Sequence, residues 1–91
     1  MIDVSLANEA ISLLNVDREE DYGDMYQNHR RIATLWSGYL GHEVSPEDVA
    51  AMMVLLKIGR SKAKYKRDNV VDGIAYLLMM DLMRSENGSR R

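Results

Sequence analysis

The sequence contains no cysteine, which removes disulfides and thiolate metal sites together. Proline occurs once, at Pro46, and β-branched residues never alternate with polar ones over a useful length, so nothing points to a sheet. The only histidines, His29 and His42, stand in different parts of the chain. No apolar run approaches the ~20 residues that a bilayer span requires; the longest is VAAMMVLL, from Val49 to Leu56. Positive charge is not in excess: the formal net charge is −2, so whole-molecule attraction to nucleic acid or to an acidic membrane is not expected. The N-terminus carries Asp3 and no basic segment ahead of an apolar one, so no secretory signal is read there and a cytoplasmic location is expected.

What is present favours helix. Met, Leu, Ala, Glu, Lys and Arg are abundant, and 91 residues amount to one domain. A chain of this size buries only about 60–65% of the surface that its unfolded form exposes. With disulfides and thiolate metals excluded, self-association is the expected compensation, and a homo-oligomer is predicted. The periodicity predicts an all-α, compact four-helix domain over residues 1–84, with helices at about 3–15, 25–40, 46–61 and 69–84 and a frayed tail at 85–91.

The first helix places Ile2, Leu6, Ala10, Leu13 and Leu14 on one stripe, with Asp3 or Ser5 to cap it. The segment NVDREEDYGD, Asn15 to Asp24, carries five acids and reads as a solvated loop or as a source of carboxylates for a hard divalent cation. Gly23 suggests a turn with positive φ there, and Asp24 the cap of the second helix. That helix buries Met25, His29, Ile32, Trp36 and Tyr39 or Leu40, and Gly41 ends it. Trp36 and His29 read as packed residues rather than as ligand contacts. Ser45-Pro46-Glu47-Asp48 is a strong helix start: cap, proline at the first position, acids in the first turn. The third helix is apolar nearly all round and has to be covered on more than one side.

Two charge sets then face each other. Lys57, Arg60, Lys62, Lys64, Lys66 and Arg67 are half of the chain's 12 basic residues. A solvated turn accounts for them, and so does a phosphate-sized positive surface built on Lys57, Arg60 and Lys64 at spacings of three and four. Asp68 or Asn69 would cap the fourth helix, and Asp68, Asp72 and Tyr76 share one edge of it. The two carboxylates would chelate a cation or receive Lys57 and Arg60 from the antiparallel third helix.

The phrases DREEDYGD (Asp17 to Asp24), NHRRIATLWSGYLG (Asn28 to Gly41), SPEDVAAMMVLLKIGR (Ser45 to Arg60) and KRDNVVDGIAYL (Lys66 to Leu77) resemble a family of small phage and prophage proteins of unknown function. The recurring polar positions of that family match Asp17, Arg18, Asp21, Tyr22, Asn28, Arg31, Lys57, Arg60, Asp68, Asp72 and Tyr76, which are the candidate ligand-binding residues. One departure is VDGIAYLL, Val71 to Leu78, where the family more often has glycine directly before the tyrosine. A more distant, fold-level similarity is to the MazG-type nucleoside triphosphate pyrophosphohydrolases, which hold magnesium through paired acids on facing helices. The full acidic set is missing here: Glu19-Glu20 falls in the expected loop and Glu47-Asp48 is explained as a helix start. For a phage-encoded protein the expected cytoplasm is the host's.

Three functional classes follow, in this order. The first is binding of a phosphorylated, nucleotide-like small molecule, with Lys57 and Arg60 on phosphate, Tyr22 or Tyr76 against a base and Asp72 or Asp21 on ribose hydroxyls. The second is a magnesium-dependent pyrophosphohydrolase, in which the same carboxylates hold Mg2+; no other cofactor is implied. The third is a module that grips a host protein through a Met-rich surface, the polar residues being only a buried network. Nucleic acid ranks below these, because the acidic remainder repels a long polyanion.

Overall fold

The computed structural model describes residues 1–14 and 19–86. They form four helices in chain order: α1 (Ser5–Leu14), α2 (Glu19–Leu40), α3 (Pro46–Ala63) and α4 (Arg67–Glu86). No strand occurs among the described residues. The expected 85–91 tail divides: Ser85 and Glu86 belong to α4, and 87–91 lie outside the described residues.

The local chemistry explains the boundaries. The Asp3 carboxylate accepts the Ser5 amide at 3.0 Å and starts α1. The α2 end is made by Gly41 at φ 67°, and its amide and that of His42 both bond the Ser37 carbonyl, at 2.9 and 3.3 Å. Glycine takes that left-handed conformation without a Cβ penalty. Ser37 does a second job: its hydroxyl accepts the Val44 amide at 2.8 Å and donates to the Val44 carbonyl, which pins the link to α3. There Ser45 and Asp48 exchange side-chain to backbone hydrogen bonds at 3.0 Å each, a capping box with Pro46 just inside it. Lys64 leaves α3 in extended geometry, at φ −161° and ψ 131°.

Four sequence expectations are corrected. On α2 neither Tyr39 nor Leu40 is buried, because α3 covers the helix only as far as Ala33 and Trp36. The acidic stretch from Glu19 to Asp24 is not a loop but the first turns of α2, so Asp24 caps nothing and Gly23 lies inside a helix without positive φ. Acids in a first turn are favoured by the helix dipole, which competes successfully with solvation. Helix α4 opens at Arg67, with the Asn69 amide bonded to the Lys66 carbonyl at 3.0 Å; Asn69 is buried instead of capping. Ile2 lies ahead of α1 and is exposed, as is Leu13, and the packed stripe is Leu6, Ala10 and Leu14.

Helices α3 and α4 pack most extensively, α1 lies on α4, and α2 lies on α3, giving the order α2–α3–α4–α1 across the molecule. Two apolar clusters result. Ala10, Val71 and Ala75 join α1 to α4, while Ala33, Val44 and Val49 join α2 to α3, with Trp36 packed against the second cluster. Helix α3 is covered by two neighbours, as its all-round apolarity requires. Even so, Met52, Leu55, Leu56 and Ile58 remain exposed on it.

Candidate functional site

Helices that run antiparallel through a short link bring the end of one beside the start of the next. Lys57, near the end of α3, therefore meets Asp72, in the second turn of α4, with Nζ 3.1 Å from Oδ2. The lysine side chain is 17% exposed and the aspartate 35% exposed, so the pair is partly shielded from solvent, and Lys57 also lines a neighbouring groove. The groove runs between α3 and α4 as an open depression of about 470 Å3. Its walls are Val54 and Ile58 from α3 and Val70, Ile74 and Leu77 from α4. Gly73 contributes no side chain to the floor, and Lys57, Ser61 and Lys62 complete the lining, whose surface is almost wholly apolar. The Ser61 hydroxyl donates to the Lys57 carbonyl at 2.9 Å, so Ser61 needs no further partner for its proton.

The other candidate residues distribute as follows. Tyr76, one turn after Asp72, is half-buried and meets the ring of His29 edge-on, with centroids 6.4 Å apart. His29 is itself buried, and its Nδ1 donates to the Met25 carbonyl at 2.9 Å, which makes it a packed histidine as its place on the apolar face suggests. Arg60 and Asp68 are exposed near the same end of the helix pair, and Asn28 and Arg31 are exposed on α2. Asp21 is half-buried. Asp17 and Arg18 lie outside the described residues.

Tyr22 sits elsewhere. Its hydroxyl is buried without a hydrogen-bond partner among the described residues, and its ring stacks on Tyr26 at 6.0 Å and 8°. The Arg30 guanidinium lies 5.9 Å from the Tyr26 ring, so Tyr22, Tyr26 and Arg30 form a column at four-residue spacing along α2. Burial, then the negative charge of Glu86, the neighbouring Tyr26 and the charge of Glu47 push the Tyr22 hydroxyl above its usual pKa, so it stays protonated. Glu47 opens α3 and Glu86 closes α4. Ten residues of helix separate Glu47 from Lys57, about 15 Å at the usual rise. Tyr22 thus marks the opposite end of the α3–α4 pair from the groove.

The geometry joins Lys57, Asp72 and Tyr76 closely, keeps Arg60 and Asp68 near them, and separates Tyr22. Exposed charges such as Arg31 and Arg60 are solvated and screened by water, so charge alone does not force all the candidates together. Among the described residues no three His, Cys, Asp or Glu side chains are grouped to hold a metal ion. The Asp72 carboxylate is occupied by Lys57, and a cation there would first have to displace that ammonium. Lys62 and Gly73 line the groove without having been singled out by spacing. The α3 and α4 wall residues read simply as core in a sequence, since an apolar groove and an apolar interior have the same periodicity.

Comparison with known proteins agrees with the resemblance in the motifs. The family described as Domain of unknown function (DUF6378) matches residues 5–84. The chain is 44% identical to the Gene 55 protein of Mycobacterium phage L5 over 89 residues, covering 96% of this chain and 57% of that protein. It is 42% identical to the Gene 55 protein of Mycobacterium phage D29 over 73 residues, covering 79% of this chain and 48% of that one. The chain therefore spans about half the length of the curated relatives it matches. No solved structure matches.

Proposed function

The chain belongs to the family described as Domain of unknown function (DUF6378) and is similar to phage proteins, and from that premise we propose that it binds a phosphorylated, nucleotide-like small molecule in the groove between α3 and α4. The observation that carries this reading is the composition of the groove. Five aliphatic side chains line a space of about 470 Å3, and Lys57 and Lys62 stand beside them. A planar base is sheltered by aliphatic walls, and a phosphate is attracted to ammonium groups within a few ångströms. The volume falls within the range of about 300–1,000 Å3 usual for small-molecule sites.

In this arrangement Lys57 is held in place by Asp72 and turns one of its remaining protons to the phosphate. Lys62 and the exposed Arg60 add positive charge at the outer edge, and the free oxygen of Asp72 accepts from a ribose hydroxyl. Tyr76 supports Asp72 from one turn away. Capture of this kind would let a phage-type protein withdraw a signalling nucleotide from its host or hold a precursor. Asp72 is also the carboxylate that a magnesium-dependent hydrolysis would need, so one substitution separates the two chemistries.

Calorimetry of the purified protein with nucleoside mono-, di- and triphosphates, with and without Mg2+, tests the reading. Lys57→Ala is expected to weaken the bound nucleotide by roughly tenfold to a hundredfold, the effect of losing one charge-assisted hydrogen bond. Asp72→Asn is expected to weaken binding less. If instead it abolishes a magnesium-dependent release of pyrophosphate, the protein is a hydrolase. Absence of any nucleotide binding at millimolar concentration, together with a lower melting temperature in both variants, would reduce the Lys57–Asp72 pair to a structural contact.

A further inference from the structure

The residues of this fold are sorted by size in an unusual sense. The buried apolar residues are Ala10, Ala33, Val44, Val49, Ala50, Val71, Ala75 and Met83, nearly all small. Much larger side chains are turned outward, and six of them lie together. Leu35 is 66% exposed, Tyr39 90% and Leu40 54% on α2; Met52 is 39% exposed, Leu55 65% and Leu56 48% on α3. Large apolar residues are ordinarily the ones a chain buries first. We propose that this α2–α3 face is the interface of a homodimer, covered by the same face of a second copy of the chain.

Three of the six meet directly, and helical spacing sets the other three beside them. Trp36, Tyr39, Leu40 and Met52 line one shared hollow of about 370 Å3, which joins the end of α2 to the first half of α3. Leu35 lies one turn from Tyr39, and Leu55 and Leu56 lie one turn from Met52. At about 100 Å2 for a Leu or Met that is half to two-thirds exposed, and up to 200 Å2 for a tyrosine, the face presents on the order of 600–700 Å2. That exceeds the largest patch usual on a monomer and approaches the ~800 Å2 that each partner gives to a standard interface.

The lack of charge selects the occupant. The two stretches that build the face, LWSGYLG from Leu35 to Gly41 and VAAMMVLL from Val49 to Leu56, contain no ionisable group other than the tyrosine hydroxyl. A two-fold interface sets each residue against its own kind or its neighbours, which an uncharged apolar strip tolerates and a charged one does not. A second copy is also present at equal concentration wherever the chain folds. At 100° per residue, Met52, Leu55 and Leu56 project from the opposite side of α3 to Val54, Lys57 and Ser61, while Ile58 and Lys62 of the groove fall between the two sides.

Light scattering and sedimentation of the purified chain over a concentration series up to about 100 µM are expected to give twice the 10.4 kDa chain mass at the upper end, with dissociation on dilution. Trp36, the single tryptophan, borders the face and should shift its emission to longer wavelength as the dimer separates. Leu55→Glu and Tyr39→Glu are each expected to raise the dimer dissociation constant by roughly a hundredfold or more, because a charge would be buried unpaired. Ile11→Glu, at an exposed apolar site on α1 away from the face, should leave association unchanged. If Leu55→Glu loses its helical circular dichroism, Tyr39→Glu and the dilution series decide the matter. A one-chain mass for the wild type at the highest concentration overturns the proposal. So does a dimer that survives both glutamates, or one that Ile11→Glu disrupts. A wild-type monomer that instead binds lipid vesicles through Tyr39 would assign the face to another occupant and overturn it as well.

Discussion

Arg67 reaches a carboxylate 58 positions away in the chain. Its guanidinium donates to the Glu9 carboxylate and, at 2.7 Å, to the Ser5 hydroxyl, and lies 3.9 Å from Asp3. The same Asp3 accepts the Ser5 hydroxyl and amide, so one cation fastens both the cap and the second turn of α1 to the start of α4. No spacing rule could have picked Arg67 out of the basic turn, because its partners become neighbours only when α1 docks. The hydrogen bonds from Ser5, and then the Arg67 charge, hold the Asp3 carboxyl below its usual pKa of 3.8. A carboxylate with a lowered folded pKa stabilises the native state above the unfolded value and loses that contribution as pH falls through the folded one. Arg67→Ala is therefore expected to lower the melting temperature by a few degrees at most at neutral pH, since the pairs are open to solvent. The gap between variant and wild type should narrow below about pH 4 and in high salt. Thermal melts at pH 3, 5 and 7, with and without salt, check this.

The N-terminal half of α2 is the element where local reading and structure part. Five acids in ten residues are usually solvated loop, and glycine is usually a turn, so the 15–24 stretch reads as both. In the structure a helix opens at Glu19, its N-terminal dipole favours Glu20 and Asp21, and Gly23 is carried along inside it. Gly23 and Gly41 therefore have opposite meanings. A Cβ at either would meet nothing within 4 Å, so only the backbone decides. Gly23→Ala is expected to stabilise the protein by about 0.5–1 kcal/mol, as for a helix-interior glycine with room for a Cβ. Gly41→Ala, at φ 67°, is expected to cost about 1 kcal/mol. Urea denaturation of the two variants checks the signs. Destabilisation by Gly23→Ala would mean a turn at that position after all. The start of α3, by contrast, is legible as written, because Ser45, Pro46 and Asp48 act on one another within four residues.

Across the whole molecule the apolar residues form two clusters on either side of the α3–α4 pair rather than one centre. Val71 packs with Ala10 and Ala75, and Val49 with Ala33 and Val44, without shared members. Val49→Ala and Val71→Ala are each expected to cost about 2 kcal/mol, the transfer of the lost methyl groups plus a small cavity. With separate partners the double substitution should cost the sum to within about 0.5 kcal/mol. Urea denaturation of the three variants measures it, and a coupling well beyond that margin would show that the clusters act as one core. Among the described residues no helix is long and apolar enough to cross a membrane.

The four helices and the lack of strand among the described residues, the capped start of α3 and the glycine end of α2 follow from the amino-acid sequence alone. Each depends on interactions within a turn or two, where residue type and spacing are sufficient. The meeting of Lys57 with Asp72 was also in reach, because a three-residue link between helices leaves few ways to pair them. Other features belong to the tertiary structure: the separation of Tyr22 from the groove, the Arg67 clamp on α1, and the outward turn of Leu35, Tyr39 and Leu55. Periodicity records that a helix has an apolar face. Which of two apolar faces a neighbour covers, and which is left for a ligand or a second chain, is settled only by how the helices pack.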